Sequence, residues 1–147
     1  MLAQKLTLVT LGVADVAASR RFYEGLGYRT SGSEQDGVAF FDMNGVLLAL
    51  FGRDDLAKDA DVAVESGGAG ARMSMAINLD SEAAVDAAMA FVAEKGGRVT
   101  QPARKVFWGG YAGYFADPDG FLWEIAYNPF WPLDEHGRPQ LSLPRTA

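Results

Sequence analysis

The chain has 147 residues, with 13 basic against 19 acidic side chains and a formal net charge of −6. Apolar residues make up 49% and cysteine is absent, which excludes a disulfide scaffold, a cysteine–zinc site and a thiol nucleophile. The acidic balance, with no basic stripe, argues against binding a nucleic-acid backbone. No secretory leader and no run of about 18 apolar residues is visible, so the expectation is a soluble, cytoplasmic protein that does not enter a membrane.

Residues 6–13 (LTLVTLGV) read as a strand. Asp15 offers an N-cap for a helix over 16–26, which Gly25 and Gly27 end. Strands are expected over 38–41 and 46–51, joined by Asp42-Met43-Asn44-Gly45, because Asn-Gly tolerates the positive φ of a tight hairpin. A short helix is expected over 53–60, then a loop over 65–71 (ESGGAGA).

The second half follows the same plan. Residues 73–79 read as a strand, and Asp80 or Ser81 caps a helix to about Lys95. Val85, Ala88, Met89 and Val92 give that helix an apolar stripe at i, i+3, i+4, i+7. A strand starts at 98–100, and 101–110 reads as a loop. Strands over 110–116 and 121–127 flank Asp117-Pro118-Asp119-Gly120, whose proline and glycine suit a type I turn. Aligning Asp15 with Asp80, and Gly45 with Gly120, superposes the two halves, which is the signature of an internal repeat. The reading is one domain: module one over about 5–55, module two over about 71–128, and a proline-containing tail over 129–147.

Two stretches resemble a known family. Val13-Ala14-Asp15 with Ser19-Arg20-Arg21-Phe22-Tyr23-Glu24 and Leu26-Gly27-Tyr28 is similar to the first helix of the vicinal oxygen chelate superfamily, which includes glyoxalase I, bleomycin resistance proteins and extradiol dioxygenases. Gly110-Tyr111-Ala112-Gly113-Tyr114-Phe115, then Asp117-Pro118-Asp119-Gly120 and Trp123-Glu124, is similar to its last hairpin. The resemblance spans about residues 5–128. It implies an α+β fold of two tandem βαβββ modules, forming a curved mixed sheet around a cavity with helices outside. It also implies a homodimer.

Many enzymes of that superfamily hold a divalent metal at four strand positions. Carried onto this chain, these are Leu8, Ala49, Met73 and Glu124, of which only Glu124 is a donor for such a cation. The expectation is therefore no metal and no cofactor.

Glu124 remains as the candidate catalytic residue. Strand alternation puts Leu122, Glu124 and Ala126 on one face and Trp123 and Ile125 on the other. Counting across the turn places Tyr114 opposite Glu124. The aromatic cluster Phe107, Trp108, Tyr111 and Tyr114 stands nearby, and the ligand-binding candidates are Trp108, Tyr111, Tyr114 and Glu124. Asp117 and Asp119 read as turn formers. The leading expectation is a metal-free protein that binds a small organic ligand. The resemblance to drug-sequestering relatives implies cationic, aromatic-rich ligands. The alternative is a metal-independent isomerase or lyase with Glu124 as acid or base. Further behind stands a metal-dependent lyase or dioxygenase.

Overall fold

The computed structural model of the chain describes residues 4, 6–30, 37–64 and 73–140. The 65–71 segment, read from the sequence as a loop, lies outside them. The chain divides into two compact units, Met1–Gly68 and Ala69–Ala147. The boundary falls in the glycine-rich stretch read from the sequence as a loop. No helix among the described residues is long and apolar enough to cross a membrane.

The first unit contains β1 (Leu8–Val13), α1 (Val16–Gly25), β2 (Val38–Asp42), β3 (Leu47–Gly52) and α2 (Arg53–Asp59). Its sheet has the order β1-β3-β2, with β1 parallel and β2 antiparallel to β3. Asp15 caps α1 by accepting from the Ala18 N–H at 2.9 Å, as its position before the helix predicts. Asn44 and Gly45 both adopt positive φ, 65° and 110°, so the hairpin turn forms where the Asn-Gly pair placed it. Helix α1 buries Phe22 and Tyr23 against the sheet face that carries Leu11, Val13, Phe41, Leu48 and Leu50. The fourth strand implied for a βαβββ module is reduced, among the described residues, to one antiparallel bridge between Thr30 and Phe41. Thr30 also donates to Glu24 at 2.5 Å, and Arg20 donates to the same carboxylate at 2.8 Å. These hydrogen bonds, Thr30 first, hold the Glu24 carboxyl below its usual range.

Tyr28 follows α1 and stacks on Tyr23, with ring centroids 6.0 Å apart and planes 9° from parallel. Burial pushes its phenol up to about 12 from 10.0. The neutral form is the one the fold accepts. The stabilisation is fully present below pH 10, where unfolded tyrosine also keeps its proton, and is lost as pH rises towards about 12. Two pH units correspond to about 2–3 kcal/mol. Urea unfolding of the wild type and Tyr28→Phe from pH 9 to 12 is expected to show the wild type losing stability relative to the variant over this window. Parallel curves would contradict the assignment.

The second unit contains β4 (Ser74–Leu79), α3 (Glu82–Glu94), β5 (Arg98–Lys105), β6 (Tyr111–Ala116) and β7 (Leu122–Tyr127). The strand order is β4-β7-β6-β5, with β4 parallel to β7 and the remaining pairs antiparallel. The same path appears in the first unit: first strand beside last strand, then the preceding hairpin strand. This is the repeat expected from the sequence. Ser81, and not Asp80, caps α3 by accepting from the Ala84 N–H at 3.2 Å. Val85, Met89 and Val92 of α3 are buried with Phe115, Trp123 and Ile125 on one sheet face. Phe115 and Trp123 are cross-strand partners whose rings stack 6.2 Å apart.

One expectation is corrected here. Residues 101–105, read as a loop, belong to β5, which runs from Arg98 to Lys105. Two register shifts, between Val99 and Gln101 and between Gln101 and Arg104, break its alternation and hide the strand from a period-two pattern.

Candidate functional site

The β6–β7 hairpin is set by its turn. The Asp117 N–H donates to the Phe121 carbonyl at 2.9 Å, and Gly120 takes a φ of +87°. The buried Asp117 carboxylate accepts from the N–H groups of Asp119 and Phe121 at 2.9 and 2.8 Å. Both aspartates thus belong to the turn, as read from the sequence. The register that follows pairs Tyr114 with Glu124.

Four strands then bring side chains into rows on the face turned away from α3. One row runs Ala76, Glu124, Tyr114, Gln101, and the next runs Asn78, Ala126, Ala112, Arg104. Glu124 and Tyr114 are half-buried, while Ala112 and Ala126 beside them are 3% and 4% exposed. Small side chains form the floor, and the acid and phenol stand above it. The Tyr114 phenol is raised above its ordinary value by burial first, then by the Glu124 charge and a hydrogen bond to that carboxylate. The pair is therefore a phenol and a carboxyl group held side by side on paired strands.

Trp108 belongs to the same neighbourhood. It lies in the β5–β6 turn, which is closed by N–H to carbonyl bonds from Val106 to Gly110 and from Gly109 to Val106, each 3.0 Å. A Cβ on Gly110 would overlap the Trp108 ring, so the indole lies across this glycine. Gly110 is two residues before Ala112, which by alternation puts the indole at the Ala112 end of the floor.

Tyr111 does not join them. It sits one residue out of phase with Ala112, and its hydroxyl donates to Asp86 of α3 at 2.8 Å. That bond, with burial and the charges of Asp86 and Glu82, raises its phenol. Its cross-strand neighbour Lys105 pairs with Glu82 at 2.5 Å, one helical turn before Asp86. Both side chains tie the hairpin to α3. Phe107, also in the aromatic cluster, is fully exposed at the turn.

The sequence reading missed Asn78 and Arg104. Among the described residues Arg104 has no ion-pair partner. Its signal lay in the segment read as a loop.

The topology defines a class: α+β proteins made of two similar units, each a mixed sheet whose first and last strands run parallel and side by side. The chain belongs to the Glyoxalase/Bleomycin resistance protein/Dioxygenase superfamily, whose family model matches residues 5–125. A glyoxalase-related enzyme from Fulvimarina pelagi is 37% identical, with 96% of this chain and 100% of that one covered and a TM-score of 0.85. A glyoxalase/bleomycin resistance protein/dioxygenase from Nocardioides is 28% identical, covering 86% and 85%, with a TM-score of 0.74. Lactoylglutathione lyase from Agrobacterium tumefaciens, 21% identical over 90% and 100%, with a TM-score of 0.68, shares the fold. No curated protein matches the sequence.

The residues at the superfamily's metal positions do not fit a metal. In register, Ala49 pairs with Thr10, five residues before the cap Asp15, and Glu124 pairs with Ala76, five before the cap Ser81. Ala49 thus stands where Glu124 stands in the second unit. The first-strand positions are Leu8 and, corrected by one residue from Met73, Ser74. Neither leucine nor alanine can donate, so the first unit supplies no ligand, and one carboxylate and one hydroxyl remain, both in the second unit. Among the described residues no three His, Cys, Asp or Glu side chains form a group that could hold a metal ion. The single histidine, His136, lies 3.6 Å from Glu135 in the tail.

Proposed function

We propose that the protein binds a small organic ligand on the face of the second sheet turned away from α3, without a metal, and that Glu124 and Tyr114 are the polar centre of the site. The observation that carries this reading is the Tyr114–Glu124 pair, held side by side above a floor of alanines. A carboxylate with a fixed phenol presents acceptor and donor together, which suits a hydroxyl or carbonyl group on an otherwise apolar ligand. Trp108 supplies a flat wall.

Ligand-observed NMR with a panel of small hydroxylated and carbonyl compounds tests this. At least one compound is expected to bind the wild type, and Glu124→Gln is expected to weaken it about tenfold, through loss of a charge-assisted hydrogen bond. Binding that ignores both Glu124→Gln and Tyr114→Phe would overturn the reading.

The second reading is proton transfer at Glu124, and the same cross-strand pair favours it, since a carboxylate beside a phenol can exchange a proton with a bound carbon or oxygen acid. The description of the Fulvimarina pelagi relative as a glyoxalase-related enzyme supports it as well. Glu124→Gln separates the two readings. A binding protein loses affinity, whereas an enzyme loses turnover beyond its loss of affinity.

A further inference from the structure

The row beside the Glu124–Tyr114 pair is asymmetric. Asn78 stands at its β4 end and Arg104 at its β5 end, with only Ala126 and Ala112 between. Three strand spacings separate the ends, about 14 Å between Cα atoms, and the Glu124–Tyr114 row lies about 7 Å along the strands. The direction of Arg104 follows from its neighbours. Lys105 and Tyr111 are cross-strand partners that both reach α3, so Arg104, one residue earlier and paired with Ala112, points to the other face. The register shift between Gln101 and Arg104 sets this alignment, as bulges do where a side chain is re-aimed.

We propose that the ligand is a small organic acid, with its carboxylate held by Arg104, its apolar body over Ala112 and Ala126 against the Trp108 indole, and a hydroxyl at its far end meeting Glu124 and Tyr114. This deepens the preceding section and rests on its placement of the site. The chemistry selects the class. The Arg104 guanidinium, which has no ion-pair partner among the described residues, can hold a carboxylate through two parallel N–H donors. Arg98, paired with Ala116, shares this face but stands beyond the Tyr114–Glu124 row, so Arg104 is the guanidinium at the alanines and the indole, which favours a carboxylate on an apolar body over inorganic phosphate. The Glu124 charge fixes the orientation, because it repels the acid end and attracts the hydroxyl end. The net charge of −6 does not reverse the preference. Charges beyond about 8–10 Å are screened at ordinary salt, and Arg104 acts in contact. The cationic ligands implied by the resemblance to drug-sequestering relatives would meet, among the described residues in the rows of this face, the single acidic side chain of Glu124.

Three probes share a phenol ring and differ at the opposite end: 4-hydroxyphenylacetate, 4-hydroxyphenylacetamide and tyramine. Affinities for the full chain are measured by calorimetry, and the methyl signals of Ala112 and Ala126 report the site by NMR. The acid is expected to bind tenfold or more tightly than the amide, and the amine most weakly. In Arg104→Gln the acid-to-amide ratio is expected to fall to about one with amide affinity retained, whereas Arg98→Gln keeps the ratio. Tightest binding by tyramine, or a ratio that survives Arg104→Gln, would overturn the acid assignment and leave the site standing. No shift of the two methyl signals with any probe at millimolar concentration would overturn both.

Discussion

Tyr23→Ala is expected to cost about 4 kcal/mol of stability, within the range for deleting a large buried ring. Tyr23 is fully buried at the centre of the first unit. Its ring meets Phe22 edge-on at 5.2 Å, stacks on Tyr28 at 6.0 Å and lies 5.9 Å from Phe41. Each aromatic pair adds about 0.5–1.5 kcal/mol beyond simple burial, and one substitution removes three of them. The cavity left cannot close readily, because Tyr28 and Phe41 also hold each other at 6.2 Å. Urea denaturation is the check, read as a lowered midpoint at constant slope. Tyr23→Phe keeps the ring and is expected to cost far less. A loss under about 1 kcal/mol for the alanine variant would show that the unit repacks.

Asp117→Ala is expected to destabilise the second unit by about 2–4 kcal/mol, and to disturb the ligand site from the turn. The side chain is 4% exposed and accepts two backbone N–H groups at 2.9 and 2.8 Å. Hydrogen bonds to a charged acceptor contribute about 1.5–3 kcal/mol, and donors left unpaired in a buried turn add a desolvation cost. The second consequence follows from strand geometry. This turn sets the register that places Tyr114 opposite Glu124, and a slip of one residue would send both side chains to opposite faces. Faster hydrogen exchange at the Phe121 and Asp119 amides is expected, together with urea unfolding at lower concentration. Asp117→Asn, which keeps one oxygen acceptor, is expected to fall between wild type and alanine. Unchanged exchange at both amides would contradict this account.

The elements legible in the sequence are those with a local cause. Asp15 and the helix after it, the Asn44-Gly45 hairpin and the Asp117–Gly120 turn each depend on residues a few positions apart. The Tyr114–Glu124 pair was legible for the same reason, since it follows by counting outward from the turn. Tyr111 and Tyr114 differ by an odd number of residues on one strand, so they stand on opposite faces, and a cluster read along the chain does not separate them. Met73 stood in for Ser74 because Asp80 and Ser81 can both cap a helix, and only the bond from the Ala84 amide decides between them. Arg104 and Asn78 stand at the two ends of a row over four strands, and that row exists only once β5 has taken its shifted register. No pattern within one segment encodes it.

The irregularity of β5 has an effect beyond the ligand site. This strand forms one border of the second sheet, where unsatisfied backbone groups could recruit a strand from another molecule. Pro102 offers no N–H there, Arg98, Arg104 and Lys105 place positive charge along the border, and the two register shifts bend it out of line. Each feature hinders the pairing of an incoming strand, so the residues that shape one wall of the site also leave this border a poor template for another strand.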